Sequence, residues 1–135
     1  GFKRIIAYMA SYAAGCQYCV AHQVSGALNL NVGEQKLAAI WDYETSPLYP
    51  EKERAALEYA RAAASVPNEV TDELFGRLKL HWSEEQIVEI TGVISVFGFL
   101  NRFNDSMATP LEPQAIDDAK RVLGKERWSP GKNAI

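Results

Sequence analysis

The sequence predicts an all-α protein, a compact multi-helix bundle in a single domain. Apolar residues recur at three- and four-residue spacing almost throughout. No run shows the strict alternation of a half-buried strand. Capping residues and prolines also punctuate the chain at helical intervals.

Phe2, Ile5, Ile6, Met9 and Ala13 define a first helix ending near Gly15. A second runs from about Cys16 to Leu30, with Val20, Val24, Ala27 and Leu28 on its apolar side. Asn31-Val32-Gly33-Glu34 resembles a capping box, so a short third helix should carry Leu37, Ala38 and Ile40. Pro50 suits the start of a fourth helix reaching Ala64, supported by an Arg54/Glu58 pair. After Val66-Pro67-Asn68, Thr71 can cap a fifth, with Asp72 and Glu73 complementing its dipole. Ser83-Glu84-Glu85-Gln86 opens the longest helix, to about Asn104. That helix is apolar on nearly every side, so it should be central or lie in a subunit interface. A last helix spans about Pro113 to Leu123, and residues 125–135 read as a loose tail. Gly1-Phe2-Lys3 reads as mid-helix, so the natural chain is expected to begin earlier.

With 135 residues the chain can bury a real core without staples. A net charge of −3 argues against nucleic acid as a partner. The longest apolar run, Val93 to Leu100, is too short to span a bilayer. No secretory leader pattern is seen, so a cytoplasmic setting is expected. Close cysteines in such a chain suggest catalysis or metal binding before a structural staple.

The two cysteines of the chain fall within seven residues, as Cys16-Gln17-Tyr18-Cys19-Val20-Ala21-His22. At about 100° per residue, Cys16 and His22 sit about 60° to either side of Cys19, so all three share one side of the second helix. Cys16, just after Gly15, lies where unpaired helix amides favour a thiolate. His22 can serve Cys19 as a base or ion-pair partner. A thiolate so placed can attack a peroxide and become a sulfenic acid, which a neighbouring thiol condenses to a disulfide. Tyr18, between the cysteines, could donate a hydrogen bond to bound substrate; packing with its hydroxyl at the surface is the plainer reading. The blander alternatives for the cysteines are small buried hydrophobes or a zinc site, for which His81 is the one other histidine. Haem attachment would need His directly after the second cysteine, where Val20 stands, and no cofactor is implied. Asn101 and Arg102 interrupt an apolar helix and would ordinarily satisfy backbone or interhelix partners. Glu44 is a loop acid.

Ser-x-x-x-Gly-Cys-x-Tyr-Cys-x-x-His, as in Ser11 to His22, resembles the carboxymuconolactone decarboxylase and alkylhydroperoxidase D-like superfamily. Glu53-Arg54-Ala55-Ala56-Leu57, the Ser83 box and Phe97 to Asn104 are similar too, so the likeness covers roughly Phe2 to Pro113. The resemblance implies a helical subunit that forms dimers, trimers or hexamers and reduces hydroperoxides or disulfides in antioxidant defence. Lipoyl groups or thiol proteins would supply electrons. It also implies Cys19 as the attacking thiol, Cys16 as the resolving one and His22 in a proton relay, whereas the dipole argument makes Cys16 the more acidic thiol.

Two departures stand out. The family pattern has a glutamate twelve residues before the first cysteine, and Arg4 is there; its histidine follows the second cysteine by four residues, and His22 follows by three. Glu89, Asn101 and Asn104 repeat the Arg4, Cys16, Cys19 spacing. A degenerate internal repeat is expected, with Glu89 facing the thiols across the helix packing or a subunit interface; a solvated helix charge is the plainer reading. The rival functions are a decarboxylase-type acid/base enzyme acting on a lactone or keto acid through His22, and a zinc-stabilised or purely interacting module.

Overall fold

Every residue from Ile5 to Ser11 is buried, so the first helix is covered all round. The computed structural model describes residues 1–134 and shows helices α1 (Phe2–Ala13), α2 (Gln17–Asn29), α3 (Glu34–Ala38), α4 (Glu51–Ala64), α5 (Asp72–Lys79), α6 (Glu84–Met107) and α7 (Pro113–Leu123). Short 3-10 turns cover Ala39–Asp42 and Gly131–Asn133, and no strand occurs among the described residues. The all-α class expected from periodicity is the one observed. Helix α1 packs on α2, α4 and α6, while α7 lies against α2 and α3.

The central helix is therefore α1, and α6 is not. Only Ile87, Ile90, Ile94 and Asn101 of α6 are buried, one stripe at helical spacing. Its opposite side leaves Val88, Val96, Phe99, Phe103 and Met107 exposed. Apolarity all round does not distinguish a helix wrapped by its own chain from one with an uncovered outer face.

Local signals explain the helix ends. Leu74 N–H donates to the Thr71 hydroxyl at 3.1 Å, and Ser83 with Gln86 forms a complete capping box. Two expectations are corrected. Asn31 adopts a left-handed conformation (φ 61°) and closes α2, with Val32 N–H donating to Ala27 O at 3.0 Å. It ends one helix and does not cap the next, so α3 starts at Gly33 without a side-chain cap. Arg54 does not pair with Glu58: its guanidinium bonds Tyr49 O and Ser46 O, and Glu58 pairs with Arg77 of α5. Loop carbonyls, with Glu51 one turn earlier at 3.6 Å, occupy the Arg54 guanidinium, and a facing helix takes Glu58.

The segment after Gly124 is not a loose tail. Trp128 is 3% exposed and its indole N–H donates to Gln17 O at the start of α2 (3.2 Å). Asn133 is buried, donating to Thr109 O and accepting Leu111 N–H through its carbonyl, both at 2.9 Å. Ile135 lies outside the described residues.

Replacing Trp128 with Ala should cost about 3–5 kcal/mol of unfolding free energy, as for other buried aromatics. Urea denaturation checks this, and an unchanged midpoint would mean that the segment contributes no packing.

Candidate redox-active site

The turn between α1 and α2 places the first cysteine. Cys16 N–H donates to Ser11 O and Gly15 N–H to Tyr12 O, each at 3.0 Å, the paired bonds of a Schellman motif. Gly15 carries the required left-handed φ of 76°, which a residue with a Cβ resists. The chain re-enters helix at once, with Cys16 as the N-cap of α2. Its Sγ accepts the Cys19 backbone N–H at 3.3 Å, the bond that Ser or Asp makes at ordinary N-caps.

The two Sγ atoms lie 2.7 Å apart, close enough for the sulfurs to share one proton. Both cysteines are free thiols and buried. The hydrogen bond from Cys19 is the largest influence holding the Cys16 pKa below the usual thiol range, against burial and the charge of Asp105. Cys19 is pushed up, because its proton is shared with Cys16 and because it is buried. These directions, with the Cys19 backbone N–H on the Cys16 sulfur, favour the negative charge on Cys16. A disulfide, with sulfurs about 2.05 Å apart, needs little rearrangement from here.

Asn101 reaches this pair from α6. It is 2% exposed, and its amide lies against both sulfurs and favours their thiolates. Nδ2 donates to Ser11 Oγ at 2.9 Å, while Oδ1 is buried without a partner. On its outer side Asn101 lines a cleft of about 350 Å³ with Ala14, Val66, Gly98, Arg102 and Asp105. Asn101 thus has the interhelix partner expected of it, and it also lies beside the thiols and lines the cleft.

His22 lies one turn beyond Cys19, and its Nε2 is 2.7 Å from Glu112 Oε2. Tyr18 packs its ring against the imidazole, centroids 4.5 Å apart. Burial, then the charges of Glu112 and the two cysteines, raises the Tyr18 pKa, so its hydroxyl stays protonated. Glu112 is the N-cap residue of α7. Its own backbone N–H, and after it His22, hold the carboxyl below the usual range, so it stays ionised. Its position follows from buried neighbours: Leu111 is fully buried and tied to Asn133, and Ser25 on α2 donates to Asp118 of α7 at 2.7 Å.

The carboxylate beside the histidine is therefore Glu112, ninety residues away in sequence. Glu89 is exposed and pairs with Lys3, about 18 Å along α6 from Asn101. Of the two routes expected for Glu89, the one across the chain's own helix packing is not taken. Arg4, where the family pattern has glutamate, packs against Gly26 and donates to Gln23 Oε1 at 3.1 Å. Sequence reasoning missed Glu112 and Ser11; the one available signal for Glu112 was its place ahead of the helix-opening Pro113. Among the described residues, no three His, Cys, Asp or Glu side chains stand together in a group that could hold a metal ion.

Residues 2–62 match the Carboxymuconolactone decarboxylase family. The uncharacterized Escherichia coli (strain K12) protein YnjA is 35% identical over 97 residues, covering 72% of this chain and 53% of its own length. The uncharacterized Bacillus subtilis (strain 168) protein YdfG is 28% identical over 106 residues, covering 78% of this chain and 72% of its own. Among solved structures, the debrominase Bmp8 superposes with a TM-score of 0.85 at 36% identity, over 90% of this chain and 65% of that one. Its cysteine-to-alanine variant in complex with 2,3,4-tribromopyrrole gives 0.86. A protein of unknown function from Agrobacterium tumefaciens, suggested to be the antioxidant defence protein AhpD, gives 0.77 at 29% identity, over 82% of this chain and 77% of that one. The chain thus spans about half of YnjA and less than two thirds of the debrominase.

The shared proton predicts opposite shifts in two variants. Cys19→Ala should raise the pH at which Cys16 becomes reactive, because the donor to its thiolate is lost. Cys16→Ala should lower that pH for Cys19, because its proton is no longer held by sulfur. Iodoacetamide alkylation rates against pH, each variant compared with the unaltered chain, measure both; a Cys16 midpoint that stays put in Cys19→Ala, or a Cys19 midpoint that stays put in Cys16→Ala, would contradict the assignment.

Proposed function

The chain belongs to the carboxymuconolactone decarboxylase/AhpD-like superfamily, and from that premise we propose that it is a thiol-dependent redox enzyme reducing organic hydroperoxides through a Cys16/Cys19 cycle. One observation carries the reading: Cys16 Sγ, at a helix N-terminus, accepts the Cys19 backbone N–H and lies 2.7 Å from the Cys19 sulfur. That arrangement stabilises a thiolate and keeps its resolving partner in contact.

The Cys16 thiolate attacks the distal peroxide oxygen; an S–O bond forms, the O–O bond breaks, and the alkoxide leaves as the alcohol after taking a proton. Cys19 then attacks the sulfenic sulfur, forming the disulfide, and hydroxide departs as water with the Cys19 proton. A dithiol, lipoyl or protein-borne, reduces the disulfide by exchange. His22, one turn beyond Cys19 with its Nε2 held by Glu112, is the group of this proposal that would relay protons. Asn101 gates the route from the cleft. This assigns attack to Cys16 and resolution to Cys19, the reverse of the roles the family resemblance implies. A cytoplasmic setting and a homo-oligomer covering the Phe99 and Phe103 face of α6 belong to the same proposal. No helix among the described residues is long and apolar enough to cross a membrane.

The likeness to a debrominase favours a second substrate for the same thiols. With a brominated arene, two electrons from the dithiol and one proton replace bromine by hydrogen, bromide leaves, and the same disulfide forms.

Free thiols should fall by two per equivalent of cumene hydroperoxide and return with dihydrolipoamide. Glu112→Gln should slow the loss about tenfold, a modest share of what a positioned acid/base group contributes. Thiols left intact by the hydroperoxide but consumed by 2,3,4-tribromopyrrole with bromide release would favour the second substrate. Thiols inert to both would overturn the redox reading.

A further inference from the structure

The cleft of about 350 Å³ beside the thiols has two unlike walls. The ends of α1 and α4, with the residues just past them, supply Ala13, Ala14, Ala64 and Val66, whose side chains offer no hydrogen bond. The other wall is α6, where Gly98, Asn101, Arg102 and Asp105 follow one another at helical spacing. Small-molecule sites begin at about 300 Å³, so a one-ring substrate has room here. The cleft also adjoins the reactive sulfurs. Asn101 lines it and lies beside both cysteines, and the charge of Asp105 is felt at Cys16.

Two charged side chains line this cleft, and their situations differ. Asp105 is already answered by Lys132, 3.2 Å away. Arg102 has no ion pair among the described residues, and its one hydrogen bond runs from Nη1 to Gly98 O at 2.9 Å. A guanidinium carries five N–H donors, and Arg102 is exposed, so its remaining donors are open to a ligand. Its place in the wall is set by the helix. Gly98 leaves the surface bare one turn earlier, and a Cβ there would stand only 3.3 Å from Nη1. The guanidinium thus lies back over Gly98, a fixed positive charge facing an apolar wall.

We propose that the hydroperoxide reduced at this site carries a carboxylate, held by Arg102, while its apolar body lies on Ala14, Ala64 and Val66. The inference rests on the Cys16/Cys19 peroxidase reading and names the substrate class of that reaction. The chemical step is unchanged: the distal oxygen passes to the Cys16 sulfur, the alkoxide leaves as the alcohol, and the carboxylate is a spectator. Arg102 touches no reacting atom and acts as a specificity residue. On a chain of net charge −3, with a thiolate close by, an anion would otherwise be the poorer substrate.

The test compares cumene hydroperoxide with its para-carboxylate, a pair that differs in one charged group remote from the peroxide. Turnover of each by the full chain is followed with dihydrolipoamide as reductant. The carboxylate should be used about fivefold more efficiently in kcat/KM, the size of an ion pair open to solvent. Rising salt should shrink that preference. Arg102→Gln should bring the ratio to about one, with far-UV circular dichroism confirming that the variant folds. Equal use of the two substrates by the unaltered chain would overturn the proposal and leave the peroxidase reading standing. A preference that survives Arg102→Gln would do the same. Turnover of neither substrate would overturn the peroxidase reading, and this proposal with it.

Discussion

One buried sulfur organises this protein. Placing a thiolate at Cys16 requires donors, because a charge out of water is costly unless hydrogen bonds replace its hydration. The donors come from the turn itself: the Schellman bonds of Ser11, Tyr12 and Gly15 deliver Cys16 to the first position of α2, and Cys19 closes on it with backbone and thiol together. The lowered pKa of one cysteine and the raised pKa of the other are two faces of the same shared proton. Nothing distant is needed to create the asymmetry, only to hold and address it.

The address comes from further along the chain. Asn101, anchored by Ser11, brings an amide to the sulfurs, and Glu112 meets His22 from the start of α7. The His22–Glu112 pair is solvent-accessible, so its own attraction is too weak to position α7. Buried contacts do that: Leu111 with Asn133, Asp118 with Ser25, and Trp128 over the first turn of α2. The carboxyl-terminal segment thereby supports the residues that carry the chemistry.

What was legible in the sequence was local. The Cys16/Cys19/His22 side of α2, the Ser83 box, the Thr71 cap and the limits of α7 all follow from residues within a turn or two of one another. What was hidden depends on docking. Glu112 becomes a partner of His22 only when α7 lies on α2. Asn31 could cap or terminate with equal local sense, and the geometry of α2 decides. Apolar composition made α6 look central, yet α1, with its small and polar positions Ala7, Ala10 and Ser11, allows the close approach on all sides that a central helix needs. The Glu89 spacing was a pattern in sequence, and Lys3 absorbs that charge at the other end of the helix.

The central claim is that Cys16 carries the reactive thiolate. Its most direct test is to treat the Cys19→Ser variant with one equivalent of cumene hydroperoxide, trap sulfenic acid with dimedone, and map the adduct by peptide mass spectrometry. The account predicts a dimedone adduct on Cys16. Absence of an adduct there, with Cys16→Ser labelled at Cys19 under the same treatment, would contradict it.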